Sequence, residues 1–518
     1  SMPVLLQGMR HEPPAAIGFR PRDFPAHLLR HGATCVLREP FVLLLGAVAV
    51  AALLTWIIPA GEYQRRKDEA TGREVVVAGT YARVAAAPVG LKAALLAVPR
   101  GIIAGADVIL TILFVGGAFA FLEATGALAR LVGMLVGRTR RPRTIVIAVC
   151  LAFATLGALE NMQEEIIALV AVLVLLSRGL GFGNVTALAM SAGAAAVGAA
   201  FGPTNPFQTG IALRFAEMPP MTIPAIRFGL LLAAVTVWIA WTLAMASRDD
   251  VRSAAEPLPT DVRATKRDAL LLALVVVPFI PYVIGVLRFD WGFNELSALF
   301  LMVGFAVGLA SGRDLTTTTR DFIKGMETML GAALFVGLAR AISVVLTDGH
   351  VIDTIVYGLA TPLGRLSGKT AALLMIPMQA VLHVPVSSVS GQAVLTMPIM
   401  APLSDLLGIS RDAAVIAFQT GGGLMDLITP TNGALLAVLL AAQVDYGRWL
   451  RFAFIPTLAV TALLIKYTVS LAIGVTLLVI TILVALARYR RRAGLASFGF
   501  ARGWRLLFLI PMLKVAVL

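Results

Sequence analysis

The chain has 518 residues, 58% hydrophobic and only 14% charged, with a mean hydropathy of +0.88. Soluble domains carry roughly a quarter charged residues, so this balance, with many apolar runs of about 20 residues, excludes a soluble domain and defines an all-α polytopic membrane protein. The net charge of +14 does not point to nucleic acid, because the Lys and Arg cluster in short loops, as the positive-inside rule expects.

Residues 1–39 contain Arg20, Arg22, Arg30 and Arg38 and read as a cytoplasmic tail resting on anionic membrane lipids. The first span, about 40–59, ends in Trp56 and Pro59; no small-residue cleavage site follows, so it reads as a retained helix. Residues 60–90 alternate around Thr71-Gly72 and predict a small external β-hairpin. An amphipathic approach over 91–105, a span over 106–124 and an interfacial stretch over 127–137 follow, then the cytoplasmic cluster Arg138, Arg140, Arg141 and Arg143.

Two apolar limbs, 144–157 and 166–177, flank the polar string Glu160-Asn161-Met162-Gln163-Glu164-Glu165. Arginine at both ends and carboxylates in the middle predict a re-entrant hairpin, and a limb of about 14 residues carries its acidic tip about 21 Å deep. Residues 184–217 would be one helix but for Pro203-Thr204-Asn205-Pro206, and a span over 223–246 completes a first repeat, 40–246. The charged stretch 247–268 is a cytoplasmic linker.

The second repeat, 269–487, follows the same plan. Spans are expected near 269–287, 294–311 and 326–346, then a hairpin over 370–404 with tip residues Ser387, Ser388 and Ser390. A helix over 411–440 is broken at Thr429-Pro430-Thr431-Asn432, two spans fill 452–487, and a basic tail covers 488–518. A shift of 227 residues brings Gly137-Arg138 onto Gly364-Arg365, Leu176-Ser177 onto Leu403-Ser404, and Pro203-Thr204-Asn205 onto Pro430-Thr431-Asn432. Charge at the two hairpin bases makes the copies opposite in orientation. Inverted repeats with discontinuous helices place a transporter's site near the midplane.

That site would be built from the tips and the breaks. Thr204, Asn205, Thr429, Thr431, Asn432 and the three tip serines offer neutral oxygens, so Na⁺ is expected near Asn205 and Asn432. Glu160, Glu164 and Glu165, beside Asn161 and Gln163, are intramembrane carboxylates and hence candidates for a proton, a cation or a substrate ammonium, the alternative being that one or two of them pair with a nearby Arg or cap the hairpin limbs. Asp426, one turn before Pro430, is a further proton or cation candidate or else a member of a structural pair; His383 reads as a packed, hydrogen-bonded side chain in preference to a proton relay. Cys35 and Cys150 suggest no disulfide, and no Cys/His cluster has metal-ligand spacing. No nucleophile–base pair or metal triad marks an enzyme.

The strings Trp56-Ile57-Ile58-Pro59-Ala60-Gly61-Glu62, Gly116-Gly117-Ala118-Phe119, Asn205-Pro206-Phe207 with Gly210-Ile211-Ala212, and Ile428-Thr429-Pro430-Thr431-Asn432-Gly433 resemble the DcuC/YfcC family of anaerobic C4-dicarboxylate carriers, in the ion transporter superfamily. The resemblance covers about residues 40–490. It implies a homodimeric elevator-type carrier in the bacterial inner membrane, coupled to Na⁺ or H⁺ and moving small organic carboxylates. The acidic first tip keeps amino acids or peptides open as the alternative cargo.

Overall fold

The computed structural model describes residues 40–67, 74–138, 141–163, 165–219, 222–246, 265–289 and 291–468. Both tails, the Thr71-Gly72 turn, residues 247–264 of the linker, Glu164 and the run 469–487 lie outside the described residues.

Helix α1 (Pro40–Ile57) leads into two short antiparallel pairs. Strand β1 (Gly61–Glu62) pairs with β4 (Ala82–Arg83), and inside them β2 (Arg65–Lys67) pairs with β3 (Glu74–Val76), Arg65 opposite Val76. The hairpin expected over 60–90 is therefore a nested one. Its basic residues have a use: Arg65 pairs with the buried Asp353 at 3.0 Å, and that carboxylate also accepts from the Tyr63 amide at 2.9 Å.

Helices α2 (Leu91–Ala104) and α3 (Ala106–Thr125) meet at 61°. Gly126, at φ +64, ends α3 and starts α4 (Ala127–Arg138). Helices α5 (Pro142–Glu160) and α6 (Ile166–Gly179) flank the acidic tip. The broken helix α7 (Asn184–Phe215) follows, then α8 (Pro224–Ala246). After the linker the expected span 269–287 is two short helices, α9 (Lys266–Val276) and α10 (Phe279–Phe289), because Pro278 between them has no amide hydrogen to donate. Helix α11 (Phe293–Ala310) precedes α12 (Leu315–Asp348). The expected span 326–346 is only the centre of α12, which Asp314 caps by accepting from Thr316 and Thr317 amides; no proline interrupts its 34 residues.

Then come α13 (Ile352–Ala360), α14 (Gly368–His383), α15 (Val389–Leu406) and α16 (Arg411–Gly421), which runs into a 3-10 turn over Gly423–Leu427. Past the Pro-Thr-Asn break lie α17 (Gly433–Ala441) and α18 (Tyr446–Thr468). The starts of α14, α15, α16, α17 and α18 follow those of α5, α6, α7, the second limb of α7, and α8 by 222 to 227 residues.

Among the described residues, five helices are long and apolar enough to cross a membrane: α5, α7, α8, α11 and α12; the bent α2–α3 pair makes a sixth if counted as one span. Outward-facing Leu53, Ile57, Leu91 and Ile103 stay exposed, which suits contact with lipid tails, and Trp56 at the end of α1 donates its ring N–H to Val89 O at 3.1 Å.

Close helix approach depends on small residues. A Cβ on Gly157 or Gly198 would fall 2.1 Å from Ala195 O or 2.0 Å from Ala154 O, so α5 lies directly on α7. The two largest cores interlock. The first limb of α7 belongs to the same core as α5, α6 and α12, but its second limb (Ala212, Leu213, Phe215) joins the core of α14, α15 and α16. Conversely α17 packs in the first core. Each broken helix thus begins in one core and ends in the other, and both breaks fall where the cores meet.

Candidate functional site

At that meeting point lies a cavity of about 190 Å³. Its wall comes from both hairpin tips (Glu160, Asn161, Gln163, Glu165; Ser387, Ser388, Ser390), from both breaks (Phe207, Gln208; Asp426, Asn432, Gly433) and from α12 (Arg340, Ser343).

The tips form because helix-ending chemistry sits there. Asn161 adopts a left-handed conformation (φ 60), which asparagine tolerates, and closes α5. Ser388 caps α15 by accepting from the Gly391 amide at 3.3 Å. The breaks form around proline followed by a capping asparagine. Asn205 Oδ1 accepts from the Phe207 and Gln208 amides, each at 2.9 Å, and its Nδ2 donates to Gly157 O at 3.0 Å. Asn432 does the corresponding work, its Oδ1 accepting from Leu435 N at 2.9 Å and its Nδ2 donating to Asp426 Oδ1 at 2.7 Å.

The structure gathers most of the residues singled out in the sequence, though not all at the cavity. Asn205 is fully buried behind the wall, and its amide is spent on capping and on α5. The Thr204 and Thr431 hydroxyls donate to hairpin carbonyls, Ala158 O at 3.2 Å and Val384 O at 2.6 Å, so each break is stapled to the hairpin before it. Thr429 is buried away from the cavity. Gln163 crosses between the halves: its Nε2 donates to Asp426 Oδ2 at 2.9 Å. Glu165 Oε2 accepts from the Gln163 amide at 3.1 Å.

Two ionisable groups at the cavity have no ion pair among the described residues, one buried (Glu160) and one exposed (Arg340). Glu160 is buried at 9% exposure, and its Oε1 has no hydrogen-bond partner among the described residues. Arg340 has no ion pair among the described residues; it lies in the apolar part of α12 and its stem passes Gly105. Beside it, Gly433 opens α17 hard against α12, since a Cβ there would lie 2.8 Å from Val336 Cα. A half-helix N-terminus and a guanidinium therefore share one side of the cavity, and both favour an anionic group.

Sequence reasoning passed over Arg340 and Gln208 and did not pair His383 with Asp426, whose Oδ1 lies 2.9 Å from the His383 Nε2. For Arg340 the signal was present: a cation eight residues inside the end of an apolar span marks a functional position by default. Gln208 lies outside the Pro-Thr-Asn string, yet its Nε2 donates to Asn161 Oδ1 at 2.7 Å, while its own Oε1 is buried without a partner among the described residues. Among the described residues no group of three or more His, Cys, Asp or Glu is placed to hold a metal ion.

A helical membrane protein whose chain breaks line a polar cavity between two interlocked cores belongs to the class of membrane transporters. The family model for the C4-dicarboxylate anaerobic carriers (DcuC) matches residues 37–477, and the chain belongs to that family. It is 28% identical over 468 residues to the Escherichia coli K12 protein named "Putative basic amino acid antiporter YfcC", a match covering 80% of this chain and 92% of that one. An uncharacterized Haemophilus influenzae protein is 26% identical over 471 residues, with the same coverages of 80% and 92%. Among solved structures, that of the Alcanivorax borkumensis YdaH transporter aligns with a TM-score of 0.41 at 15% identity, covering 84% of this chain and 98% of that one.

Proposed function

We propose that the chain is a secondary active transporter whose substrate carries both an ammonium and a carboxylate group, an amino acid. The observation that carries this reading is that Glu160 and Arg340 line one small cavity and neither has an opposite charge to pair with among the described residues. Glu160 is buried, and a buried charge is costly unless paired, whereas Arg340 is exposed and open to a ligand carboxylate. A ligand with both charges compensates both residues at once, its carboxylate on Arg340 and the α17 N-terminus, its ammonium on Glu160. A second cationic group would meet Glu165 on the same wall, in keeping with the name of the Escherichia coli relative.

In this proposal the two halves are inverted repeats. Hairpins α5–α6 and α14–α15 with the two broken helices form a moving transport unit, and α3, α11 and α12 form the scaffold of a homodimer in the bacterial inner membrane. Alternating access is then an elevator-type movement of that unit, and the coupling ion is H⁺ or Na⁺. Transport of a C4-dicarboxylate is the second reading. It is favoured by the family description and by Arg340, and it requires coupling cations on Glu160 and Glu165.

Ligand binding to the folded state raises stability by about 2.7 kcal/mol at a hundredfold excess over Kd. A thermal-shift screen with L-arginine, other amino acids and succinate, with and without Na⁺, followed by proteoliposome uptake of the labelled hits, is the test. Stabilisation and uptake of an amino acid are expected. Response to succinate alone would replace this reading by the second, and no gradient-dependent uptake or counterflow of either class would end both.

A further inference from the structure

His383 is fully buried, and donor bookkeeping fixes its protonation. Its Nδ1 lies 2.8 Å from Gln392 Oε1 and its Nε2 lies 2.9 Å from Asp426 Oδ1. The Gln392 amide cannot be turned over, because its Nε2 donates to the backbone carbonyl of Gln379 at 2.8 Å and to Gln379 Oε1 at 2.7 Å. Gln379 is held in turn: its Nε2 donates to Thr396 Oγ1 at 3.2 Å, and the Thr396 hydroxyl donates to Gln392 O at 2.9 Å. The chain is anchored at both ends on backbone oxygens, so Gln392 presents an acceptor and the imidazole must donate from Nδ1. Its other nitrogen faces a carboxylate. Two lone pairs at 2.9 Å would repel, so a second proton sits between Nε2 and Oδ1. Asp426 also accepts from Asn432 on Oδ1 at 2.7 Å and from Gln163 on Oδ2 at 2.9 Å, so both of its oxygens already face donors and the shared proton is placed on the histidine.

We infer that the His383 imidazolium and the Asp426 carboxylate are a built proton-binding site at the cavity wall, and that this proton is exchanged for the substrate's ammonium. The inference rests on the amino-acid reading above. Asp426 lines the cavity while His383 stands behind it, so a proton leaves by way of the wall. The charged groups sharing that wall are Glu160 and Glu165 of the first tip and Arg340 of α12; the neighbours from the other elements, Gln163, Asn432 and Gln392, are neutral. A substrate ammonium arriving there adds positive charge beside the imidazolium and favours loss of its proton. The Nε2–H bond breaks, the proton passes to water in the cavity, and histidine keeps only Nδ1–H. Two lone pairs then face each other across the α14 end and the second break, and the contact joining hairpin to break opens. That ties protonation to the geometry of the moving parts. The first half has no such device, for the positions 227 residues earlier are Leu156 for His383, Ala199 for Asp426 and Ala152 for Gln379.

Two measurements on the full-length protein decide it. The first is imidazole ¹⁵N spectroscopy of histidine-labelled protein near neutral pH, with His383 assigned by its absence in His383→Gln. Both nitrogens protonated, with the Nε2 proton lost in Asp426→Asn, is the expected result; a neutral ring protonated at one nitrogen overturns the proposal. The second is calorimetric titration with L-arginine in buffers of different ionisation enthalpy. Close to one proton released per L-arginine bound by the wild type is expected, falling several-fold in His383→Gln. Binding without proton release overturns the inference and leaves the transport reading intact. Failure of L-arginine to bind removes the amino-acid reading and with it the proposed exchange, while the spectrum still decides whether the proton is there.

Discussion

Gln163 Nε2 donates to Asp426 Oδ2 at 2.9 Å, and this bond joins the tip of the first hairpin to the break of the second broken helix. Residues 263 apart in sequence thereby share one wall. Replacing Gln163 with leucine removes a donor from a buried carboxylate, a loss of about 1–3 kcal/mol. Transport should slow by roughly tenfold or more, with expression retained. Initial uptake rates in proteoliposomes check this, and a wild-type rate in Gln163→Leu would leave the bond without a role.

Glu160→Gln should act oppositely on stability and on binding. Glu160 buries a carboxylate oxygen without a partner among the described residues, and a neutral amide is cheaper to bury than an unpaired charge. The melting temperature of the substrate-free variant should therefore rise, while stabilisation by L-arginine disappears. A variant that melts lower and still responds to ligand would place Glu160 in a structural role.

Asn205 is a positioning residue in this geometry. It caps the second limb of α7 with two accepted bonds and fixes α5 with one donated at 3.0 Å. Asn205→Ala loses the cap and strands buried backbone groups, about 2–3 kcal/mol. Thr204→Ala loses one bond at 3.2 Å and should cost less than about 1 kcal/mol. Thermal melts of the two variants in the absence of ligand should show that order; equal shifts would count against it.

The two halves are also locked together at Arg227. This guanidinium, only 2% exposed, donates to Asp412 Oδ1 at 2.9 Å and to Gln419 Oε1 at 3.0 Å, and Gln419 Nε2 reaches back to Ala200 O at 2.7 Å. Removing one partner of a buried pair typically costs about 3–5 kcal/mol. Arg227→Met should reduce the yield of folded protein sharply, while Arg227→Met with Asp412→Leu should recover part of it. Size-exclusion yield measures both.

The breaks and tips were legible in the sequence because they violate local rules. Proline inside an apolar run and carboxylates between two short limbs need no tertiary knowledge to be noticed, and Glu160 and Asp426 line the cavity. What each side chain does was less legible. Asn205 and Asn432 carry the same chemistry in the same string, but one is sealed behind the wall and the other is on it, because Asn432 has Asp426 as its partner where the earlier half has Ala199. Arg340 was overlooked because α12 is read as a span from its ends, and the cation inside it gains meaning only when the cavity is seen beside it. The imidazolium state of His383 rests on Gln379, Gln392 and Thr396, three residues whose pairing is a matter of hairpin packing.

The most direct test of the central claim compares two ligands on two proteins. L-Arginine and its decarboxylated analogue agmatine differ only in the group assigned to Arg340. Calorimetric binding to wild type and Arg340→Met should show L-arginine weakened about 10- to 100-fold, equivalent to about 1.4–2.8 kcal/mol, with agmatine affinity nearly unchanged. An equal loss for both ligands, or none for either, would contradict the assignment of Arg340 to the substrate carboxylate.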